Sequence, residues 1–260
     1  MAGNFFNAPK RNVPNGQRKE GVMDLARTNW SFEDGCEFIK YLETFRRDDR
    51  IEWTKNILNT KMNVLAIKSP EIAMIVKQIK KGNFLSFLDL ELNDYYENTA
   101  INGNLITAIK DFNIMKKYLD NYSKKIDNWS SCDLLKFNIK GNEEKFMMLS
   151  KEYIQSELPF VRRIGMLILF KFIDKDEYLN EIYSMLNQFE DEKEYYVNMV
   201  NAWLICELFI KRKDKTLEFL ENNRLNTFTI NKAISKCRDS FRVSDVDKEL
   251  LLKFKITGGN

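Results

Sequence analysis

The chain has 260 residues, of which 44% are hydrophobic and 30% charged, so it can bury a sizeable core and has the composition of a soluble globular protein. Its 41 basic and 38 acidic residues leave a net charge of +3, which neither requires nor excludes a nucleic-acid partner. The absence of histidine excludes Ser-His and Cys-His nucleophilic catalysis and removes the commonest general base. Any chemistry must therefore use carboxylates, lysine, tyrosine or bound ions.

The cysteines indicate a reduced chain without a metal site. Cys36, Cys132, Cys206 and Cys237 are far apart in the sequence and form no CxxC pair. Without histidine, this spacing argues against structural zinc and is typical of free thiols in the cytoplasm. The longest apolar run, residues 164–170, is too short to span a bilayer. We therefore expect a cytoplasmic protein with no metal, no cofactor and no membrane partner.

The N-terminal stretch differs in composition from the rest of the chain. Residues 1–28 begin without an apolar signal core and combine Pro9 and Pro14 with several lysines and arginines. Low hydrophobicity of this kind is typical of segments that do not pack. We expect a flexible basic arm over 1–28 and one helical domain over 29–260.

From Ser31 onward, start signals and apolar spacing predict one helix after another. The sequence Ser31-Phe32-Glu33-Asp34 is a capping box, and Ser69-Pro70-Glu71 combines a serine cap with proline in the first turn. Apolar spacing predicts further helices at 51–58, 72–81, 94–109, 112–119, 143–154, 159–173, 176–188, 192–211, 217–220, 230–237 and 246–254. With 10 glycines, 4 prolines and no convincing strand, the sequence favours helices joined by short connections.

The spacing of these helices indicates a particular architecture. Successive helix pairs recur at roughly 35 to 45 residues, which is the range of HEAT-like units. We therefore predict an all-α fold, an α-solenoid or superhelix of HEAT-like antiparallel helix pairs. A solenoid of this kind curves, and its concave side can hold an elongated partner.

One segment near the middle of the chain carries a candidate site. Trp129 and Asp133 are four residues apart, so on a helix they lie on the same face, one turn from each other. An aromatic face beside a carboxylate suits a cationic, electron-poor ring, because both attract positive charge. The same segment has a structural interpretation, in which Ser130 and Asp133 form the capping box of a helix.

Six motifs follow one another along the chain. In order they are Tyr95-Tyr96-Glu97, Asp127-Asn128-Trp129-Ser130-Ser131-Cys132-Asp133, Pro159-Phe160-Val161-Arg162-Arg163, Tyr195-Tyr196-Val197-x-Met199-x-x-Ala202-Trp203, Phe228-Thr229-Ile230-Asn231-Lys232-Ala233 and Ser240-Phe241-Arg242-Val243-Ser244. Together these motifs resemble the DNA alkylation repair (AlkD-like) glycosylase family. The resemblance covers about residues 60 to 255 and leaves out the N-terminal arm.

The resemblance implies an enzyme that acts on double-stranded DNA containing alkylated bases. The family folds as a solenoid of HEAT-like repeats, wraps duplex DNA along a concave basic face and excises cationic bases such as 3-methyladenine and 7-methylguanine. Its members hold the lesion within the duplex. By position, Asp133 would be the catalytic carboxylate, Trp129 and Trp203 would flank the lesion deoxyribose, and Arg162 or Arg163 would hold a phosphate.

Several of these residues also have structural interpretations. Each arginine could instead pair with a nearby carboxylate such as Glu157, and Trp203 lies on a helix that is apolar on all sides, where core packing is equally consistent. Tyr96 is a weaker candidate for the cleft.

A C-terminal run of basic residues could line one side of a DNA groove. Lys232, Lys236 and Arg242 recur at short intervals, as expected of contacts to backbone phosphates, although a solvated helix face has the same pattern. We expect a monomeric DNA glycosylase. The alternative is a non-catalytic HEAT-like scaffold that binds DNA or protein.

Overall fold

The computed structural model describes residues 23–256, which are helical almost throughout and contain no strand. The helices are α1 (Phe32–Glu43), α2 (Ile51–Leu58), α3 (Ser69–Ile79), α4 (Phe84–Leu88), α5 (Tyr96–Ile106), α6 (Phe112–Ser123), α7 (Trp129–Asp133), α8 (Glu143–Ile154), α9 (Pro159–Leu169), α10 (Leu179–Leu186), α11 (Tyr195–Lys211), α12 (Lys213–Asn222), α13 (Thr227–Asp239) and α14 (Asp245–Leu251). None of the helices within this range is long and apolar enough to cross a membrane.

The helices stack as the predicted all-α solenoid. The odd-numbered helices from α3 to α13 contact one another in chain order and form one continuous layer. The helices between them pack on this layer, with α8 against α9, α12 against α11 and α14 against α13. Consecutive stacking of this kind, in which each unit packs mainly on its neighbours, is how a solenoid buries its core.

The start signals in the sequence explain where several helices begin. Ser31 accepts a hydrogen bond from the Asp34 backbone N–H and Asp34 accepts one from Ser31, so the predicted capping box is confirmed. Pro159 is the first residue of α9, where its missing N–H costs nothing. At α3 the predicted serine cap is wrong by one residue. Ser69 is already helical, and the cap is Lys68, whose N–H donates to Glu71 Oε2 at 3.0 Å.

Some predicted bounds are also wrong. The apolar helix that starts at Pro159 ends at Leu169 rather than at 173, because residues 170–173 form turns before the next unit. The short helix α4 was not predicted, since five residues show too little periodicity. The segment 176–188 is helix α10 with a 3₁₀ turn at each end.

One long core runs through the solenoid, and one glycine shows how closely its helices approach. A Cβ on Gly165 would lie 2.9 Å from the Ile154 side chain and 3.0 Å from Cβ of Tyr153, so α8 and α9 can meet there only without a side chain. At the same place the Ser150 hydroxyl donates to the Gly165 carbonyl at 2.7 Å. Because α9 carries both predicted arginines, this contact fixes their position relative to the core.

The expected N-terminal arm lies largely outside the described residues, which begin at Met23. In the part that is described, Leu25 is buried in the core, and the Arg27 carbonyl accepts the Asn83 N–H at 2.8 Å. Arg27 also pairs with Asp34 and Glu37 on α1. The described chain therefore packs against the fold from Leu25 onward.

Candidate functional site

Helix α7 carries the predicted Trp129–Asp133 pair and is only five residues long, so tertiary contacts must hold it. It begins with Asn128, a fully buried residue whose side-chain oxygen accepts from the Ser131 N–H at 3.0 Å and from the Ser131 hydroxyl at 3.1 Å. The Thr99 hydroxyl on α5 and the Tyr122 hydroxyl on α6 hydrogen bond to Ser131. These hydrogen bonds hold the short helix α7 in place against α5 and α6.

The segment after α2 fixes the other side of α7. The Asp127 carboxylate accepts the Thr60 hydroxyl and, at 2.7 Å, the Lys61 N–H. The Trp129 indole N–H donates to the Ile57 carbonyl at 3.1 Å, which holds the indole ring in place. Trp129 remains partly open to solvent.

Asp133 projects from α7 toward α9 and meets Arg163. Arg163 Nε and Nη2 donate to the two carboxylate oxygens, each at 2.9 Å, and Nη1 donates to the Tyr196 carbonyl at 2.6 Å. The arginine side chain is only 6% exposed, whereas that of Asp133 is 23% exposed. The guanidinium is thus the more buried partner, and the Asp133 side chain stays partly open to solvent.

Two opposed effects set the protonation of Asp133. Burial raises its pKa above the usual value, and the charge and hydrogen bonds of Arg163 act in the opposite direction. Each carboxylate oxygen has further lone pairs, so bidentate pairing with Arg163 leaves acceptor capacity for a water molecule. Asp133 can therefore orient a water or oppose a developing positive charge.

The structural interpretation of this segment, a capping box of Ser130 and Asp133, is wrong. Asn128 caps α7, and Ser130 lies inside the helix with its hydroxyl 2.8 Å from the Tyr96 hydroxyl. Asp133 is the last residue of α7 and cannot cap its start. Its carboxylate instead pairs with Arg163 on α9.

Arg162, the neighbour of Arg163, points to a different part of the molecule. Its Nε and Nη2 donate to the Glu192 carboxylate at 2.8 and 3.0 Å, and Nη1 donates to the carbonyls of Ser156 and Glu157. Both arginines pair with a carboxylate, as in the alternative interpretation, but neither of them pairs with the Glu157 side chain. Four donors of Arg162 are occupied within the fold, which leaves little for a phosphate.

Trp203 lies on α11, two helical turns beyond Tyr196. Seven residues place the two side chains on the same face and roughly 10 Å apart along the axis. The indole is 36% exposed and packs against Phe170, the residue after the end of α9, with ring centroids 4.6 Å apart. Trp203 is therefore not a core residue. It lies on the same helix as Tyr196, whose backbone carbonyl accepts the hydrogen bond of Arg163.

Tyr96 lies at the edge of a groove that sequence reasoning missed. The groove has a volume of about 690 Å³ between α3, α5 and α7, and it adjoins α7 at Ser130 and Leu134. Leu134 fits there because Gly103 has no Cβ; a Cβ would lie 2.5 Å from it. Three lysines line the groove, namely Lys77, Lys80 and Lys136, and all three are exposed. In the sequence these lysines look like those of any solvated helix face.

The predicted C-terminal basic residues face two directions. Arg242 pairs through both Nη atoms with Glu207 of α11, and this pairing, joined by the Trp203 N–H, holds the pKa of Glu207 below its usual value. Lys236 lies on the same side, close enough to act on Cys206 of α11. Lys232 instead lines a groove of about 710 Å³ between α13 and α14 that also contains acidic residues. Only Lys236 and Arg242 extend the surface around Trp203.

The candidate site is thus a surface on α7, α9 and α11 with basic residues on both sides. Within residues 23–256, no cluster of cysteine, aspartate and glutamate is arranged to hold a metal ion. Residues 38–237 match the model of a family described as DNA alkylation repair enzyme. No curated protein sequence matches the chain.

Proposed function

The chain belongs to the DNA alkylation repair enzyme family, which supports a role in DNA repair, and we propose a specific reaction for it. In this proposal the protein hydrolyses the N-glycosidic bond of cationic alkylated purines in duplex DNA. One observation carries the proposal. The Asp133 side chain is partly exposed, is held in a bidentate pair by a buried arginine and lies one helical turn from a partly open indole. A structural ion pair alone would not require the tryptophan.

The chemistry of the substrate fits a site without histidine. An N-alkylated purine carries a positive charge, so when its glycosidic bond breaks the bonding electrons neutralise the base, and no general acid is needed. Positive charge then develops on the deoxyribose, and water adds to its C1′ atom. In this proposal Asp133 stabilises that charge, orients the water and accepts the proton that the water loses as its oxygen bonds to C1′.

Magnitudes support this role for Asp133. A carboxylate a few ångströms from a developing cation in a partly desolvated site contributes several kcal/mol, on the order of 3–4 by comparison with preorganised polar groups elsewhere. The indole faces of Trp129 and Trp203 would each add about 0.5–2 kcal/mol of cation–π stabilisation. Arg163 is the more buried partner of the pair, so the carboxylate is the more accessible one.

Two basic regions would hold the DNA backbone on either side of the site. On one side are Lys77, Lys80 and Lys136 in the groove beside Tyr96, and on the other are Lys236 and Arg242. Contacts of this kind are independent of sequence and weaken with salt. We further propose that the helix pairs are HEAT-like repeats of one domain and that a single protomer suffices, since both members of the Asp133–Arg163 pair and both tryptophans come from one chain.

The test is release of 7-methylguanine from methylated duplex DNA by the wild type and by Asp133→Asn. We expect release to fall by at least about a hundredfold in the variant while DNA binding is retained, as for loss of a preorganised electrostatic group. Asp174→Asn is the matched control, because Asp174 is 69% exposed and pairs only with Lys211. Wild-type binding to DNA without any release would leave the non-catalytic scaffold as the function.

A further inference from the structure

Helix α11 repeats the pattern that forms the candidate site on α7. On α7, Trp129 and Asp133 are four residues apart and share one face, and an arginine from a later helix pairs with the acid. On α11, Trp203 and Glu207 have the same spacing. Arg242, from the segment after α13, pairs with Glu207 through both Nη atoms. This likeness makes Glu207 a candidate for a role at the site.

The two ion pairs differ in which partner is the more exposed. In the pair on α7 the acid is the more accessible member, since Asp133 is 23% and Arg163 6% exposed. In the pair on α11 the order is reversed, with Glu207 16% and Arg242 43% exposed. A carboxylate that is the less accessible partner of an ion pair is poorly placed to meet a ligand. Glu207 is therefore better suited to hold another side chain than to act on the substrate.

The carboxylate of Glu207 holds the indole of Trp203. The hydrogen bonds of Arg242, together with that of the indole N–H one helical turn away, bring the pKa of this carboxylate below its usual value. An indole nitrogen can only donate, so the polar edge of the ring is fixed only where an acceptor meets it. The ring also packs on Phe170, with centroids 4.6 Å apart and planes inclined by 58°. These two contacts restrain a side chain that is 36% exposed.

Trp129 is restrained in a comparable way by a different acceptor. Its indole N–H donates to the Ile57 carbonyl at 3.1 Å. In both tryptophans the N–H is thus used within the protein, and the ring face remains for a ligand. Cation–π attraction acts through the ring face, so its strength depends on how the ring is turned.

We propose that Glu207 is a positioning residue, which holds the Trp203 ring in the orientation that the reaction requires. Arg242 keeps the carboxylate in place, with Nη1 donating at 2.9 Å. Without the acceptor, the partly exposed indole would exchange between rotamers and would present its face to the charge on the deoxyribose for only part of the time. The inference rests on the proposed function, because it takes Trp203 to lie beside that deoxyribose.

The experiment compares Glu207→Met with Glu207→Gln in the full chain. Both variants remove the same charge, but glutamine keeps a side-chain oxygen that can accept the indole N–H, and methionine does not. In single-turnover release of 7-methylguanine we expect the rate of Glu207→Met to fall about tenfold, in line with the loss of one cation–π contact, without weaker binding to the duplex. Glu207→Gln should retain most of the rate. In Trp203→Phe, adding Glu207→Met should cause no further loss, because the two residues act as a unit.

The indole N–H signals in a nitrogen–proton NMR spectrum supply a second measurement. The chain has 4 tryptophans, and the signal missing from Trp203→Phe identifies that of Trp203. We expect this signal to move strongly in Glu207→Met and less in Glu207→Gln. The other tryptophan signals should stay in place in both variants, which would show that the fold is kept.

Three outcomes would overturn the inference. They are a Trp203 signal that does not move in Glu207→Met, a wild-type rate of release in that variant, and an equal loss of rate in Glu207→Met and Glu207→Gln. In each of these cases the wild type still releases 7-methylguanine, so the proposed function would stand. A wild type that binds the duplex and releases nothing would overturn the proposed function and the inference together.

Discussion

Two neighbouring arginines on α9 make the same bidentate contact with a carboxylate, and the comparison shows what separates a structural pair from a site. In the Arg162–Glu192 pair the side chains are 14% and 7% exposed, so the acid is the more buried member. In the Arg163–Asp133 pair they are 6% and 23% exposed, so the acid is the more accessible member. Of the two carboxylates, that of Asp133 therefore belongs to the more exposed side chain. The geometry of a salt bridge is therefore a poorer guide to function than the accessibility of its acid.

The largest expected effect concerns the buried pair. In Arg162→Ala the Glu192 carboxylate stays buried with only the backbone N–H groups of residues 193 and 194, and loss of one partner of such a pair costs about 3 kcal/mol. Urea denaturation should show this loss, whereas the folded variant should still release 7-methylguanine. Lys211→Ala is the control, since its exposed pair with Asp174 contributes about 0–1 kcal/mol. Equal stability of the two variants would contradict the structural role of the Arg162–Glu192 pair. A folded Arg162→Ala protein without activity would show that this pair is needed for the reaction.

Removing Arg163 tests the pair at the site. In Arg163→Met the Asp133 carboxylate loses two charge-assisted hydrogen bonds that fix its orientation, which are worth about 2 kcal/mol or roughly thirtyfold in rate. Single-turnover release of 7-methylguanine measures this effect on the chemical step. Arg163→Lys should recover part of the charge but not the bidentate geometry. Release at the wild-type rate in Arg163→Met would mean that the pair has only a structural role.

The pH dependence of release should shift in the same variant. The proposed mechanism needs ionised Asp133, so the rate should rise with pH through a pKa that burial raises above the ordinary value of 3.8. Arg163 opposes this shift, and without it the acidic limb should move to higher pH. For stability the sign is the reverse: a raised folded-state pKa gives a contribution that is present below the unfolded pKa and lost as pH rises through the folded one. Identical acidic limbs in both proteins would exclude Asp133 as the titrating group.

The sequence predicted the architecture well because its signals are local. Capping residues such as Ser31 and the proline at the start of α9 act within one turn, and their effects survive in the fold. The four-residue spacing of Trp129 and Asp133 likewise predicted a shared face. The Asn128 cap is also local, and asparagine at that position was a signal that could have been used. The hydrogen bonds from Thr99 and Tyr122 to Ser131 join separate helices and were beyond such signals.

The two arginines show why partners could not be predicted. Successive residues point about 100° apart around a helix, so Arg162 and Arg163 face different neighbours, and only the packing of α9 decides which one meets α7. Trp203 illustrates the same limit, because an apolar helix gives no sign of which face remains open. The lysines beside Tyr96 were missed since exposed lysines look alike in sequence whether or not they border a groove.

The smallest expected effect concerns the basic residue beyond Trp203. Arg242 is 43% exposed and paired with Glu207, so Arg242→Gln should change stability by no more than about 1 kcal/mol. If Arg242 exchanges Glu207 for a phosphate on binding, the salt dependence of duplex affinity should fall by about one unit of slope, because one counterion fewer is released. Lys151→Gln on α8 removes the same charge from an exposed pair with Glu181 and should leave the slope unchanged. Equal slopes in wild type and both variants would mean that Arg242 has only a structural role and that phosphate is bound by the groove beside Tyr96.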